Sequence, residues 1–473
     1  MMQLRKLKNL GTSVLAFWFF MTGPSAVTSQ EWQQYKDVDR AGWSKTELDG
    51  ARQYATEIGS AAVMIVENGN VVAAWGNIEH PYKAASIRKS IDDATIGATI
   101  RKKKVDVNST LAELKIDDRN SLSNQEKQAT FEHLMTARSG VYHPAAYETA
   151  SNANRRPERN SAAPGEKWYY NNWDFNVLAP AYKKLAGISL NQGFKENLAT
   201  PMGFEDFEPD HIFEWFEPRT SRHSAKTFRI SARDLARIGK LYLQKGIWNG
   251  NRIVSSKWVK KSIKPHTIFE KDHDRGEGNG YGRLWWFYPA RPESDSPFEK
   301  HLRIAARGTG EQLMILFPKL DLLIVHRTDT DQGRGASGRD VYQLMNMIIA
   351  SRKRKSADDA NIGPVQVKPL SGKKPIPLRK DYSAVPENQI SLSAGTYMFN
   401  KDLGLRLYKY DKRLFIQPLG MARPDAEVFV VSDGTLRSPL VNLIIRPIKN
   451  GDKKIDSLEM TFGGRTLTGK RVE

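Results

Sequence analysis

The sequence predicts an α+β protein with one antiparallel sheet flanked by helices, a helical insertion beside the sheet, and a small β-barrel at the carboxyl end. Three observations predict this. Hairpin patterns occur early and late in the first 350 residues, the region between them is mostly helical and loop-rich, and short alternating segments follow residue 390. Early and late strands with helices between them indicate a single sheet covered by helices.

The early hairpin is indicated by two apolar runs, Ala62 to Val66 and Val71 to Trp75, on either side of Asn68-Gly69. Asn-Gly is the strongest short-range signal for a tight hairpin turn, because both residues tolerate positive φ. The first domain is therefore expected to begin with paired strands.

The late hairpin joins Leu313 to Phe317 and Leu322 to His326 through a four-residue turn. After it, Arg339 to Ile349 has the apolar period of an amphipathic helix. This helix is expected to close the first domain.

Residues 352 to 385 carry repeated Lys, Arg, Pro and Gly with little periodicity, which is typical of a linker. Beyond Gly395 the pattern changes to short alternating runs separated by turn signals, namely Leu405 to Tyr408, Leu414 to Gln417, Val428 to Val431 and Leu443 to Pro447. Such spacing predicts a small β-barrel. Few core contacts are expected to cross so polar a linker.

Composition narrows the functional classes. The chain has no cysteine, which excludes thiol catalysis, disulfides and Cys-ligated zinc. Its net charge of +19 comes from 72 basic and 53 acidic residues. Because no phosphate loop or nucleic-acid module occurs, the charge indicates an anionic cell-envelope surface rather than nucleic acid, with a merely solvated basic face as the alternative.

The amino terminus has the pattern of a signal peptide. Arg5, Lys6 and Lys8 precede an apolar segment from Val14 to Met21, and small residues follow as far as Ser29. Residues 1–29 are therefore predicted to direct export, which places the mature protein in the periplasm or outside the cell. An uncleaved amino-terminal anchor is the alternative.

Ser86 and Lys89 form an S-x-x-K pair at the start of a predicted helix. The helix is indicated by apolar residues at i, i+4, i+7 and i+11: Ile87, Ile91, Ala94 and Ala98. A serine hydroxyl is a poor nucleophile until a base takes its proton, and a lysine amine made neutral by its surroundings can be that base. Ser86 is therefore the predicted nucleophile and Lys89 its base.

A second motif contains Tyr170 and Asn172. A phenol can relay a proton to a leaving group, and an amide can hold both Lys89 and a substrate carbonyl. Tyr169 and Asn171 fit the same Y-x-N spacing. Tyr170 and Asn172 are preferred because a Pro-Gly turn and a tryptophan precede them at the offsets usual for this motif.

These motifs resemble those of the β-lactamase-related serine hydrolases, which include class C β-lactamases, D-alanyl-D-alanine peptidases, D-aminopeptidases, esterases and aminohexanoate-oligomer hydrolases. The resemblance covers roughly residues 50 to 350 and implies the fold predicted above. Further landmarks follow in the family's order: Phe131 to Gly140, Pro164-Gly165 and Trp168, Ser231 to Arg237, and Tyr281 to Trp286. The carboxyl-terminal barrel resembles the lipocalin-like tail of some members.

The family's third motif is where this sequence departs from the pattern. Its nearest counterpart begins at Ala306, which stands where relatives have Lys or His. Gly308 would let substrate approach the backbone, and the resemblance implies an oxyanion hole formed by the N–H groups of Ser86 and Thr309. Ala306 argues against efficient β-lactam hydrolysis unless Arg303 or Arg307 supplies the missing charge.

The predicted organisation is a signal peptide (1–29), a serine hydrolase domain (30–351), a linker (352–385) and a barrel (386–473). The resemblance implies an exported serine hydrolase that cleaves a small-molecule ester or amide through an acyl-enzyme, with no metal or organic cofactor. A peptidase or amidase acting on D-amino-acid or peptidoglycan fragments is the first alternative. A non-catalytic cell-wall-binding relative is the second. The sequence leaves the acyl group, the leaving group and the oligomeric state open.

Overall fold

The computed structural model describes residues 31–102, 105–333, 335–354, 361–372, 374–421, 423–451 and 454–472. The predicted signal peptide lies outside these residues. Among the described residues, no helix has both the length and the apolar character needed to span a membrane.

An 11-stranded sheet organises the first 370 residues, and its centre is antiparallel. Ten of its strands follow one another across the sheet in the order Ile362–Pro364, Gln33–Tyr35, Asn70–Gly76, Ala62–Glu67, Leu322–Arg327, Gln312–Phe317, Arg303–Gly308, Trp286–Tyr288, Gly280–Tyr281 and Thr267–Ile268. The eleventh strand, Val367–Lys368, pairs with Asn70–Gly76.

Both predicted hairpins are present at the centre of this sheet. Asn68 and Gly69 have φ values of 49° and 76°, the left-handed conformations that the Asn-Gly turn was expected to adopt. The predicted closing helix spans Gly338–Ala350. The predicted α+β fold is confirmed.

Helices cover both faces of the sheet. The longer ones are Lys45–Glu57, Arg88–Lys102, Asn172–Ala186, Ala232–Leu243, Ser256–Ile263 and Gly338–Ala350. The first and last of these pack together on one face over an apolar cluster that includes Ile65 and Ile324. The helices of the insertion pack on the opposite face, where the larger apolar cluster lies.

Shorter elements complete the hydrolase part. The short helices and helical turns are Ala85–Ile87, Glu126–Gln128, Phe131–Met135, Ala150–Ala153, Leu190–Gly193, Phe194–Ala199, Pro209–His211 and Thr330–Gln332. A three-stranded sheet is formed by Tyr82–Lys83, Ala225–Ile230 and Ile212–Trp215, and a small hairpin by Ile247–Trp248 and Asn251–Arg252.

The segment predicted to be a linker contributes strands to the main sheet. Ile362–Pro364 pairs antiparallel with Gln33–Tyr35, and Val367–Lys368 pairs parallel with Asn70–Gly76. Gln33–Tyr35 also runs parallel to Asn70–Gly76, so the sheet is mixed at this edge. These strands have only two or three residues, too few for an alternating pattern to be visible in the sequence.

The carboxyl-terminal region forms a closed barrel of eight strands. These are Gly395–Met398, Gly404–Tyr410, Arg413–Leu419, Ala426–Val430, Leu436–Arg437, Leu443–Lys449, Ile455–Phe462 and Arg465–Arg471. Pairing of Tyr397 with Arg471 joins the first strand to the last. The short helix Glu387–Ser393 precedes the first strand.

The barrel packs against the hydrolase part, in contrast to the few contacts expected from the sequence. Arg219 donates two hydrogen bonds to Asp425, both of 2.8 Å. Lys83 Nζ donates to the carbonyl oxygen of Leu440 at 2.9 Å. Leu440 is buried in an apolar cluster with hydrolase residues such as Trp215. These contacts give the barrel a defined orientation.

Candidate active site

Ser86 lies in the helical turn Ala85–Ile87, immediately before the helix Arg88–Lys102. Ala85 has a φ of 48°, a left-handed conformation that costs free energy in a residue other than glycine. The strand before this turn is held by the buried guanidinium of Arg327, which donates to the carbonyl oxygens of Tyr82 and Lys83 at 3.0 and 2.9 Å. This arrangement presents the half-buried Ser86 to a large cavity.

Lys89 lies where an activating base is needed. Its Nζ is 2.9 Å from Ser86 Oγ, and the residue is only 2% exposed. Burial lowers the pKa of Lys89 well below its ordinary value, and the neighbouring charge of Arg88 lowers it further. The amine is therefore driven toward the neutral form, which can accept the Ser86 proton.

Tyr170 lies beside the same pair. Lys89 Nζ is 4.9 Å from the centre of the Tyr170 ring and 4.7 Å from that of Phe175. Burial raises the pKa of Tyr170, while its interaction with the Ser86 hydroxyl acts in the opposite direction. A neutral phenol can both donate and accept a proton, so Tyr170 is suited to relay one rather than to serve as a permanent anion.

The two tryptophans near the site differ in position. Trp286 stacks on Tyr170 with ring centres 5.4 Å apart and lines the cavity. Trp285 is buried in the core, where its Nε1 donates to Asp93 at 3.0 Å. Of these two tryptophans, only Trp286 contacts the space in front of Ser86.

Asn172 also lines the cavity, but its hydrogen bonds differ from the expected ones. Its Nδ2 donates to the carbonyl oxygen of Tyr147 at 2.7 Å. Its Oδ1 is buried and has no hydrogen-bond partner within the described part of the chain. The amide NH2 has a second hydrogen beside the one given to Tyr147, so Asn172 offers an acceptor, suited to an N–H donor or a protonated amine, in addition to a donor for the expected substrate carbonyl.

The segment from Phe131 to Gly140 contacts the second motif through hydrogen bonds to Asp174. Ser139 Oγ donates to Asp174 at 2.5 Å, and Asn171 Nδ2 donates to the same carboxyl oxygen at 2.9 Å. Burial raises the pKa of Asp174 well above its ordinary value. Asn171 therefore has a structural role as a helix cap, and Asn172 is the residue that faces the cavity.

The third motif lies against the nucleophile. A Cβ atom added at Gly308 would stand 2.7 Å from the carbonyl oxygen of Ala84 and 3.0 Å from the backbone nitrogen of Ser86. Only glycine therefore fits between this strand and the Ser86 turn. Thr309 follows in the hairpin turn and lines the same cavity, so the six predicted site residues come together, although Asn172 offers an unexpected atom.

The arginines around the third motif lie four residues apart, on the same face of the strand Arg303–Gly308. Arg303 packs under Phe298, 4.4 Å from the ring centre, and lines a second cavity that Arg307 also lines. Arg307 lines the Ser86 cavity, where it donates to the Tyr288 hydroxyl at 3.1 Å and lies 3.6 Å from a Glu311 carboxylate oxygen. Ala306 is buried in the core.

Tyr147 is a residue of the site that was not predicted from the sequence. It lines the cavity and has a φ of 61°. Its N–H donates to Glu217 at 2.8 Å and its carbonyl accepts from Asn172. Burial raises the pKa of Glu217 to about 7, against the effect of that N–H. A positive φ in a bulky residue cannot be recognised in a sequence, because the residues that indicate it are chiefly glycine, asparagine and aspartate.

A nucleophilic serine, a neutral lysine and a phenol in mutual contact define a serine hydrolase site. The family model described as Beta-lactamase matches residues 47–343. The chain belongs to this family, and it is a serine hydrolase. A search of curated proteins found no match to the sequence.

Solved structures with a similar fold are known. The octameric penicillin-binding protein homologue from Pyrococcus abyssi is 15% identical, with a TM-score of 0.47, over 90% of this chain and 99% of that one. SurE with D-Leu is 15% identical, with a TM-score of 0.46, over 90% and 100%. A β-lactamase from Mycobacterium bovis is 17% identical, with a TM-score of 0.43, over 62% and 96%.

The pH dependence of the reaction tests the assignment of the base. Since Lys89 must be neutral to take the Ser86 proton, activity is lost as the pH falls through its folded-state pKa, which lies well below 10.5. We expect kcat/KM for a short ester to rise with pH and to level off well below pH 10.5. A midpoint at the ordinary lysine value would contradict a buried neutral amine.

The close approach of Gly308 gives a second prediction. The Cβ of Gly308→Ala would collide with the Ala84 carbonyl and shift the Ser86 turn. We expect kcat/KM to fall by on the order of a hundredfold in a folded protein, because small displacements of reacting groups are costly. Gly50→Ala is the control, since nothing lies within 4 Å of its added Cβ. Equal activity of the two variants would show that the strand does not position Ser86.

Proposed function

We propose that this serine hydrolase cleaves an ester or amide bond of a small molecule through an acyl-enzyme on Ser86. The observation that carries the proposal is the 2.9 Å contact between Ser86 Oγ and the amine of Lys89. Burial supports a neutral amine at this position. The family supports hydrolysis in general, and the substrate class is our inference.

In the acylation step, Lys89 takes the hydroxyl proton as Ser86 Oγ attacks the carbonyl carbon. The carbonyl oxygen becomes an oxyanion, which the N–H groups of Ser86 and Thr309 are proposed to bind. The bond to the leaving group then breaks as Tyr170 donates its proton to the departing oxygen or nitrogen and is reprotonated by Lys89. Water next attacks the carbonyl carbon of the ester on Ser86 and gives up a proton to Lys89. The bond between that carbon and Ser86 Oγ then breaks, the carboxylic acid leaves, and the proton from water passes to Ser86 Oγ.

Peptidase or amidase action on D-amino-acid or peptidoglycan fragments is the second candidate. The unpaired Oδ1 of Asn172 favours it, because an amide substrate offers an N–H that an ester lacks. A comparison of p-nitrophenyl esters with D-amino-acid anilides separates the two. We expect Asn172→Leu to lower anilide turnover selectively if the amide is the natural bond, and an equal loss on both would remove this argument.

We also propose that the protein is exported and that its excess positive charge favours an anionic envelope surface. The basic, apolar and small residues in the first 29 positions support export, and the net charge of +19 supports the second point. Cell fractionation with amino-terminal sequencing of the mature protein tests it. A cytoplasmic protein that keeps Met1 would contradict export.

The roles of the three central residues lead to a mutational prediction. Ser86→Ala should abolish turnover, and Lys89→Ala or Tyr170→Phe should lower kcat by on the order of a hundredfold or more, since each removes the nucleophile or a proton-transfer group. Labelling with a short fluorophosphonate should occur in the wild type and be absent in Ser86→Ala. The neighbouring Ser90→Ala is the control, because Ser90 donates to the Leu284 carbonyl instead of facing the cavity. Full ester hydrolysis by a folded Ser86→Ala would refute Ser86 as the nucleophile. A wild type that is neither labelled nor active on esters would support the alternative of a non-catalytic wall binder.

The third motif leads to a prediction about β-lactams. We expect nitrocefin to be hydrolysed far more slowly than the best ester. Ala306 carries no charge, and Arg307 is already bonded to Tyr288 and close to Glu311. Turnover numbers for the two substrates, measured on one preparation, test this. Comparable values would mean that Arg307 supplies the charge that relatives obtain from Lys or His.

A further inference from the structure

The Ser86 site does not end at the hydrolase part of the chain. It opens into a cavity of about 830 Å³ whose wall is shared with the carboxyl-terminal barrel. At one end lie Ser86, Tyr170 and Thr309, and at the other lie apolar barrel residues that include Leu443 and Met460. The nucleophile and the barrel therefore face one common space.

The barrel residues in this wall belong to its lumen. Side chains alternate along a strand, so every second residue of a small barrel points inward. The inward positions that reach the cavity are Leu405, Ile416, Ala426, Leu443 and Met460. Leu405, Ala426 and Leu443 lie at the beginnings of the strands Gly404–Tyr410, Ala426–Val430 and Leu443–Lys449. Ile416 and Met460 lie on strands that pair with these. All five residues are therefore toward one end of the barrel.

The opposite end of the lumen is closed. The helix Glu387–Ser393 places Ile390 in the apolar cluster of the barrel. Arg471, at the end of the last strand, donates to the carbonyl oxygens of Leu392 and Ala394. The helix therefore covers the end away from Ser86. Deeper inward side chains such as Leu407 and Leu458 pack on one another in the apolar cluster of the barrel, so the cavity reaches the barrel at its mouth, the end that faces the nucleophile.

The orientation of the mouth is set by residues that are close in the chain to those that line it. Asp425, which pairs with Arg219, directly precedes the lumen residue Ala426. Leu440, which accepts from Lys83, lies three positions before Leu443. The contacts that fasten the barrel to the hydrolase therefore also hold the mouth against the site.

We propose that the mouth of the barrel lumen binds an unbranched aliphatic chain of the substrate while Ser86 attacks its carbonyl. The substrate class is then a medium- to long-chain ester or amide. This inference rests on the proposed function of Ser86. A polar reacting group at Ser86 and an apolar chain at the barrel mouth match the two parts of the cavity wall, and each buried methylene could raise kcat/KM by up to about fourfold, the equivalent of about 0.8 kcal/mol.

The test compares p-nitrophenyl esters with acyl chains of increasing length in the full-length protein. We expect kcat/KM to rise by on the order of a hundredfold between chains of about four and ten carbons, as the added methylenes are buried along the cavity and at the barrel mouth. A second series, acetate esters of alcohols of increasing length, assigns the chain to the acyl or the leaving side. Length dependence in either series supports the proposal, and a flat profile in both overturns it.

Two variants on one strand provide the matched control. Leu443→Trp fills the mouth, whereas Ile444→Trp adds the same bulk on the outer face of the barrel, since successive residues alternate. We expect Leu443→Trp to lower kcat/KM for the ten-carbon ester by at least about tenfold and to leave the two-carbon ester nearly unchanged. Ile444→Trp should change neither. Equal losses on both esters in Leu443→Trp would overturn the proposal.

Folding and catalysis are checked separately. Thermal melting shows whether each variant folds. If Leu443→Trp does not fold, Ala426→Val replaces it as a milder obstruction of the barrel mouth, and its effect on the ten-carbon ester decides the test. Fluorophosphonate labelling of Ser86 separates the two hypotheses. A labelled enzyme without chain-length preference refutes the lumen alone, whereas an unlabelled wild type refutes the nucleophile on which both rest.

Discussion

The neutrality of one buried lysine is the condition on which the site depends. A charged ammonium costs several kcal/mol in an apolar interior unless an anion pairs with it. Arg88 occupies the position beside Lys89 and remains positively charged, and its guanidinium donates to Asn176 at 2.8 Å. Arg88 and Asp92 lie 3.9 Å apart, so the carboxylate nearest this region serves the arginine. Burial and the charge of Arg88 favour the free amine of Lys89, whereas Asp92 and the faces of the Tyr170 and Phe175 rings favour the charged form.

The rest of the hydrolase part holds these groups away from water. The helix Arg88–Lys102 is buried on nearly every side instead of on one face, because the sheet, the insertion and the helix Ser256–Ile263 surround it. Its polar residues are consequently bonded to other elements. Asp93, for example, accepts hydrogen bonds from Ser262 and Trp285. A helix so enclosed can hold Ser86 and Lys89 in one geometry through the reaction.

Local signals made much of this arrangement predictable, and non-local contacts account for what was missed. The Asn68-Gly69 turn, the late hairpin and the S-x-x-K pair depend on residues close together in the chain, and each was found from the sequence. The hydrogen bond from the Asn172 amide to Tyr147 was missed, because no pattern reveals the positive φ of Tyr147. The strand Val367–Lys368 has two residues, and its existence depends on an unpaired sheet edge formed some 290 positions earlier.

The docking of the barrel is the largest feature that the sequence did not indicate, and Tyr147 connects it to the site. The Tyr147 ring packs on Trp215 with centres 5.1 Å apart, in the apolar cluster that contains Leu440 of the barrel. Its carbonyl meanwhile holds Asn172 at the cavity wall. A residue in a left-handed conformation costs about 1–3 kcal/mol and persists only when its surroundings impose it. The barrel supplies part of those surroundings. The packing of the barrel on the hydrolase part and the orientation of the Asn172 amide therefore both depend on Tyr147.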